Sequence, residues 1–166
     1  MQRYDKINAI AGCLLVGVFC GIGVFAEEPT TKAPPSIFEE THAAPDVKDC
    51  PLRIVVEANV KGGIADGVLL AHGGNVTGYV IHVEEGIPVF EVTQKKEMFR
   101  VAWPQAVKGR MRIVAELNTE KMSLSVNGEP PVEAPSPGLL RAQPKIGLSV
   151  GYDALSNAGS YEAPNP

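Results

Sequence analysis

Three apolar runs between residues 67 and 92, separated by glycine turns, constrain the fold of this chain more than any other feature. The segment reads GVLLAHGGNVTGYVIHVEEGIPVFEV, with turns at residues 73–75 and 85–86. Short runs that are rich in Val, Ile, Leu, Tyr and Phe and bounded by glycine are typical of antiparallel strands. The segment therefore predicts three consecutive strands, the last two joined as a hairpin.

The rest of the chain continues this pattern with apolar and polar side chains in alternation, the period of a strand with one buried face. No stretch beyond the N-terminal segment shows a convincing helical period of 3.6 residues. About eight short strands predict an all-β fold, an antiparallel β-sandwich of the jelly-roll or concanavalin A-like kind. The strands predicted outside the central segment cover residues 53–60, 98–103, 110–117, 121–126 and 146–150.

Two local features refine this prediction. Asn127-Gly128 is the strongest hairpin signal, because both residues tolerate the positive φ of a type I′ turn. Pro88 has no N–H to donate, which predicts that its strand lies at an edge or begins late. Prolines at 130, 131, 135 and 137 predict a short edge segment followed by a loop.

The N-terminus has the features of an export signal. Arg3 and Lys6 precede an apolar run over residues 10–25, and Ala26 precedes Glu27 at a suitable cleavage point. We expect residues 1–26 to be a helical signal peptide and the protein to be periplasmic or extracellular. One alternative is a retained membrane anchor, although the run is shorter than the roughly 18–20 residues of a confident spanning helix. Another is lipid attachment at Cys13.

The segment after the signal is rich in proline and lacks apolar periodicity. Residues 27–51 are predicted to be a disordered linker, residues 52–162 one domain, and residues 163–166 a frayed tail. Cys50 would be the single cysteine of the mature chain, so we expect an unpaired thiol and no internal disulfide. The formal net charge of −4 provides no basic field for nucleic acid.

The order of the glycine motifs resembles the C-terminal β-sandwich of bacterial arylsulfatases and, more broadly, laminin-G and concanavalin A-like sandwiches. The resemblance spans about residues 52–162. It rests on GVLLAHGG at 67–74, GYVIHV at 78–83, GIPVF at 86–90, GRMRI at 109–113, LSVNG at 124–128, GLSVGYD at 147–153 and GSY at 159–161.

The resemblance does not extend to catalysis. Sulfatases need a cysteine or serine in a C/S-x-P-x-R box, whereas Cys50 is followed directly by Pro51 and Arg53 comes too soon. The large catalytic domain has no counterpart here, and no carboxylate pair or nucleophile with a base can be located. We expect a non-catalytic domain and no cofactor.

Candidate ligand-binding residues follow from residue type. Aromatic rings combined with hydrogen-bonding groups suit sugars, which points to Tyr79, Trp103, Tyr152 and Tyr161 with His72 and Asn75. Because laminin-G-like domains can bind calcium through loop oxygens, the resemblance also implies Asp66, Asp153 and Asn157 as metal candidates, although acidic residues are sparse. His72 and His82 lack the spacing of a zinc site.

Two functions remain in view. The first is an exported binding module for extracellular or periplasmic polysaccharide. The alternative is a structural or protein-interaction module associated with a sulfatase-type enzyme, suggested by apolar Val55, Val80, Val114 and Val132 at outward or edge positions. A membrane is expected as a partner only if the N-terminal segment is retained.

Overall fold

The computed structural model describes residues 17–19, 44–60, 66–151, 153 and 158–160, and all regular elements in that part of the chain are β-strands. Each strand predicted from the sequence is present, with its ends shifted by at most two residues. The strands are β1 Gly17–Phe19, β2 Leu52–Val60, β3 Gly67–Gly73, β4 Thr77–Glu84, β5 Ile87–Gln94, β6 Glu97–Ala102, β7 Gly109–Leu117, β8 Lys121–Val126, β9 Val132–Pro135 and β10 Leu148–Val150.

These strands form two antiparallel sheets. Sheet A has the order β1-β2-β7-β8-β9, and sheet B has the order β10-β3-β4-β5-β6. The sheets pack face to face around a shared apolar core, which confirms the predicted all-β antiparallel sandwich.

The short strand β1 lies inside the predicted signal segment. Its three residues pair antiparallel with residues 53–55 of β2. They are extended, whereas the signal segment was expected to be helical. The rest of that segment lies outside the described residues.

The core follows from the alternation of side chains along the strands. Phe90, Tyr79 and Met111 are among the largest side chains that are completely buried between the sheets. Removing an aliphatic or aromatic side chain of this size from water stabilises the fold by about 1.5–3 kcal/mol. Sheet A contributes Ile54, Val56, Met111, Ile113, Ala115, Leu117, Met122, Leu124 and Val126, and sheet B contributes Leu70, Tyr79, Ile81, Val83, Phe90, Val92, Val101 and Trp103.

Two-residue turns at residues 85–86 and 95–96 connect β4 to β5 and β5 to β6. A third turn, at residues 127–128, follows β8 and begins the five-residue connection to β9. Asn127 and Gly128 have φ of 54° and 79°, as the predicted type I′ turn requires. Glu85 and Gly86 also have positive φ. The turn between β5 and β6 is less expected, because residues 95–96 are both lysine and both adopt positive φ.

The strand that contains Pro88 lies inside its sheet. The strand β5 pairs with β4 on one side and with β6 on the other, so it is internal and the predicted edge position is wrong. Pro88 is the second residue of β5, and its carbonyl accepts a hydrogen bond from the backbone N–H of Trp103 at 2.9 Å. Its place near the start of the strand limits the cost of the missing donor.

The end of the predicted linker packs on the sandwich. Val47 is completely buried, and its backbone N–H donates to Oε1 of Gln143 at 2.8 Å. The N–H of Asp49 donates to the carbonyl of Leu140 at 2.7 Å. The packed part of the chain therefore starts before Leu52.

Cys50 differs from the expectation of an unpaired thiol, because it is disulfide-bonded. The other two cysteines, Cys13 and Cys20, lie outside the described residues.

The hairpin between β3 and β4 depends on a close approach of two backbones. Gly73 has a φ of +94°, and a Cβ atom there would lie 2.3 Å from the carbonyl oxygen of Thr77 and 2.7 Å from the Cα of Gly78. Backbone atoms cannot move far enough to relieve such overlaps. Only glycine satisfies both the conformation and the space.

We predict that Gly73→Ala lowers the free energy of unfolding by about 3 kcal/mol or more, because it adds steric overlap to the cost of a positive φ. Gly128→Ala is the matched control: its φ is +79°, but a Cβ atom would meet nothing within 4 Å. It should cost only about 1 kcal/mol. Urea unfolding monitored by the fluorescence of Trp103, the single tryptophan, would measure both. Equal losses would contradict the role of close approach.

Candidate functional site

A shallow groove lies on the outer face of sheet A, the face turned away from the core. Its volume is about 280 Å³. The strands β2, β7 and β8 position its walls, because every second side chain of each strand points outward. The groove is lined chiefly by Arg53, Arg112, Val114, Glu116, Ser123 and Ser125.

The lining side chains are arranged in rows across the strands. Arg53 stands opposite Glu116, which stands opposite Ser123. In the next row Val114 stands opposite Ser125. The groove therefore presents a fixed pattern of guanidinium, carboxylate and hydroxyl groups around a small apolar floor.

The charged groups of the groove are paired but accessible. The Nε of Arg53 lies 3.0 Å from Oε1 of Glu116, and these side chains are 54% and 48% exposed. The Nε of Arg112 lies 3.7 Å from Oε1 of Glu57. Exposed ion pairs of this kind contribute little to stability, so a ligand can replace one partner at small cost.

The outer face of sheet B is covered over β3, β4 and β5, whereas Met98 and Arg100 of the edge strand β6 remain exposed. Residues 158–160 lie against it, and Ala158 is completely buried with Val68, Ala71 and Val80. The hydroxyl of Thr93 donates to the carbonyl of Ala158 at 2.9 Å.

A buried carboxylate lies beneath the same residues. Glu91 is completely buried and accepts hydrogen bonds from the backbone N–H and the hydroxyl of Ser160, each at 2.7 Å. The Nε2 of His82 lies 3.5 Å from Oε2 of Glu91, and Nη1 of Arg100 lies 3.3 Å from Oε1. Burial alone would raise the pKa of Glu91, but the hydrogen bonds from His82 and Ser160 outweigh it and lower the pKa to about 2.

A second polar pair lies in the core. The Nδ1 of His72 and the hydroxyl of Tyr79 are 3.0 Å apart, and the two rings meet edge to face. Burial lowers the pKa of His72 to about 4 and raises that of Tyr79. His72 is therefore a neutral imidazole at neutral pH, and the pair is a structural contact without exposure to a ligand.

Of the four aromatic candidates, two are buried and two lie outside the part of the chain that the structure describes. Tyr79 is 0% exposed and Trp103 only 5%, so neither residue presents a ring face on which a sugar could stack. Tyr152 and Tyr161 lie outside the described residues. Asn75 is exposed in the turn between β3 and β4.

The metal candidates are not brought together in the described part of the chain. Asp66 accepts a hydrogen bond from the backbone N–H of Glu85. Asp153 accepts one from Ala158 at 2.9 Å, and Asn157 lies outside the described residues. Among the described residues no group of three or more His, Cys, Asp or Glu could hold a metal ion.

The residues that line the groove were not singled out as ligand-binding candidates in the sequence analysis. The alternation along β2 and β7 places Arg53, Arg112 and Glu116 on the polar side of their strands, but nothing in the local sequence marks them as ligand-binding. The groove could have been found only by noticing that polar residues of neighbouring strands lie side by side. Recognising this requires the pairing register of the strands, which the sequence alone does not give. Glu91 was not identified either, since nothing local marks a strand carboxylate as buried.

Comparison with protein families and with curated proteins found no family and no protein that this chain matches. None of the described residues belongs to a helix that is long and apolar enough to cross a membrane.

We predict that His72 makes the fold sensitive to mild acid. Because its pKa is near 4 in the folded state and near 6.5 in the unfolded chain, the unfolded state binds more protons between these values. Lowering the pH from 7 to 5 should cost about 2 kcal/mol of unfolding free energy. His72→Gln should remove this dependence in urea titrations at both pH values. An unchanged dependence would exclude His72 as its source.

Glu91 should control the pH dependence of stability in a second, more acidic range. Its folded pKa of about 2 lies below the ordinary value of 4.5, so its stabilisation is present above pH 4.5 and is lost as the pH falls toward 2. We expect Glu91→Gln to lose about 2–3 kcal/mol at pH 7 and to flatten the acid dependence. Glu84→Gln is the matched control, because Glu84 also binds Arg100 but is 52% exposed. Equal effects in urea unfolding would contradict this assignment.

Proposed function

We propose that this chain is an exported, non-catalytic module that binds polysaccharide through the groove on the outer face of sheet A. The observation that carries the proposal is the groove itself, in which two guanidinium groups, a carboxylate and two hydroxyls surround Val114. Sugar ligands suit such a surface, because their hydroxyls both donate and accept hydrogen bonds.

The chemistry of the groove supports a polyhydroxylated ligand over a strongly charged one. The guanidinium groups of Arg53 and Arg112 only donate hydrogen bonds, the carboxylate of Glu116 only accepts them, and the serine hydroxyls do both. The opposite charges alternate across neighbouring strands. A ligand with many neutral hydroxyls can use all of these groups without meeting a field of one sign.

The sandwich architecture and the motif resemblance to the C-terminal domain of bacterial arylsulfatases support a role as an accessory domain. The N-terminal export signal would place the module in the periplasm or outside the cell, where polysaccharides are available. The described surface lacks an exposed aromatic plate: its exposed large apolar side chains are Val76 and Met98. Binding would therefore depend on hydrogen bonds, and we expect weak affinity.

A protein-interaction role has one specific observation in its favour. Val55 and Val114 lie opposite each other on the outer face of sheet A and are only half-buried. Val132 lies on the edge strand β9 but packs against the core, and Val80 is completely covered, so neither side chain supports this role. A partner such as a sulfatase-type enzyme could dock on this face, and co-purification from the native cell would distinguish the two functions.

We predict that Arg112→Gln weakens retention on immobilised polysaccharide about tenfold, the equivalent of about 1.4 kcal/mol. Arg110→Gln is the matched control, because Arg110 lies on the same strand and also binds Glu57, at 2.8 Å, but does not line the groove. Affinity electrophoresis through neutral and sulfated polysaccharides would measure both variants. No retention of the wild-type protein by any polysaccharide, or equal losses in both variants, would remove the proposal.

A further inference from the structure

The four edges of the two sheets are protected to different degrees. The edge strand β9 has four residues and ends in Pro135, and β10 has only three residues. The edge strand β6 carries charged Glu97 and Arg100. Short strands, prolines and charges are the usual means by which proteins prevent edges from pairing with other chains.

The fourth edge strand of the described sheets is β1, and the long strand β2 lies directly behind it. The strand β2 lacks the first two of these protective features. It has nine residues and contains neither proline nor glycine. On the side away from β7, its pairing within the described residues is limited to β1, opposite residues 53–55. If residues 1–26 are removed as the sequence predicts, β1 is removed with them and β2 becomes the edge of sheet A.

The sequence of β2 is complementary to itself in an antiparallel arrangement. With Val55 on a two-fold axis, Val55 faces Val55 of a second copy. Arg53 then faces Glu57 of the second copy, and Ile54 faces Val56. The two-fold symmetry repeats each of these pairs, as a self-complementary dimer interface requires.

The neighbouring strand extends this complementarity. Within one chain Arg53 contacts Glu116 at 3.0 Å, and Glu57 contacts Arg112 at 3.7 Å. Across two copies the row would contain Glu116, Arg53, then Glu57 and Arg112 of the second copy. The charges alternate along the whole row, so no like charges are adjacent.

We propose that two copies of the processed chain pair through β2 to form a dimer with a continuous antiparallel sheet. Four strands from each copy, β2, β7, β8 and β9, would contribute to that sheet. The inference rests on the predicted removal of residues 1–26 and goes beyond the proposed binding function. Cys50 is disulfide-bonded in the structure, and removal of residues 1–26 would take away Cys13 and Cys20. The dimer is therefore tested in reducing buffer, which excludes a disulfide link between two copies.

The full chain is expressed in a host that exports it, its N-terminus is determined by mass spectrometry, and its mass is measured by light scattering. We expect a chain without residues 1–26 at twice the monomer mass. Val55→Lys and Val55→Glu place like charges on the two-fold axis and should each raise the dimer dissociation constant at least about tenfold. Mixing the two variants should restore dimers, because an ammonium group then faces a carboxylate across the axis.

Val114→Lys is the matched control. Val114 is half-buried on the same face, directly opposite Val55, but one strand further from the edge. This variant should remain dimeric, and circular dichroism would confirm the fold of every variant. A processed chain that is monomeric, a Val55→Lys variant as dimeric as the wild type, or a failure of the mixture to dimerise would overturn the proposal. So would a monomer that retains residues 1–26, and the N-terminal mass would identify that cause.

Discussion

Mutual burial of the two inner sheet faces is the interaction on which the rest of this structure depends. Each sheet alone would expose a continuous apolar face, and packing the faces together removes both from water. The strict alternation in β7 shows the principle, since Met111, Ile113 and Ala115 are completely buried while Arg110 and Arg112 remain exposed. The outward-facing side chains do not contribute to this core and are available for other contacts.

The two outer faces then serve different roles. On sheet B, residues 158–160 cover part of the face and enclose Glu91. This buried carboxylate is tolerated because Ser160, His82 and Arg100 surround it. On sheet A the corresponding face stays open, and its ion pairs are accessible to solvent. This asymmetry explains why the proposed ligand groove lies on sheet A.

The sequence predicted the features that depend only on neighbouring residues, such as tight turns. Asn127 and Gly128 each tolerate a positive φ, so their turn could be predicted directly. Lys95 and Lys96 adopt the same kind of turn without such a signal, because the pairing of β5 with β6 leaves two residues to reverse the chain. The burial of Glu91 had no local signal either, since Ser160, which helps to enclose it, is 69 positions away.

The amino-acid sequence by itself determined the strands, the main hairpins and the two-sheet class, because the period of two and the turn residues act over a few neighbouring positions. Only the tertiary structure decided which outward face stays open and which aromatic rings are hidden. Tyr79 and Val80 are adjacent apolar residues in β4, so the alternation of side chains could not show which of them faces the core. Those outcomes depend on contacts between distant segments, which pairing register and packing bring together.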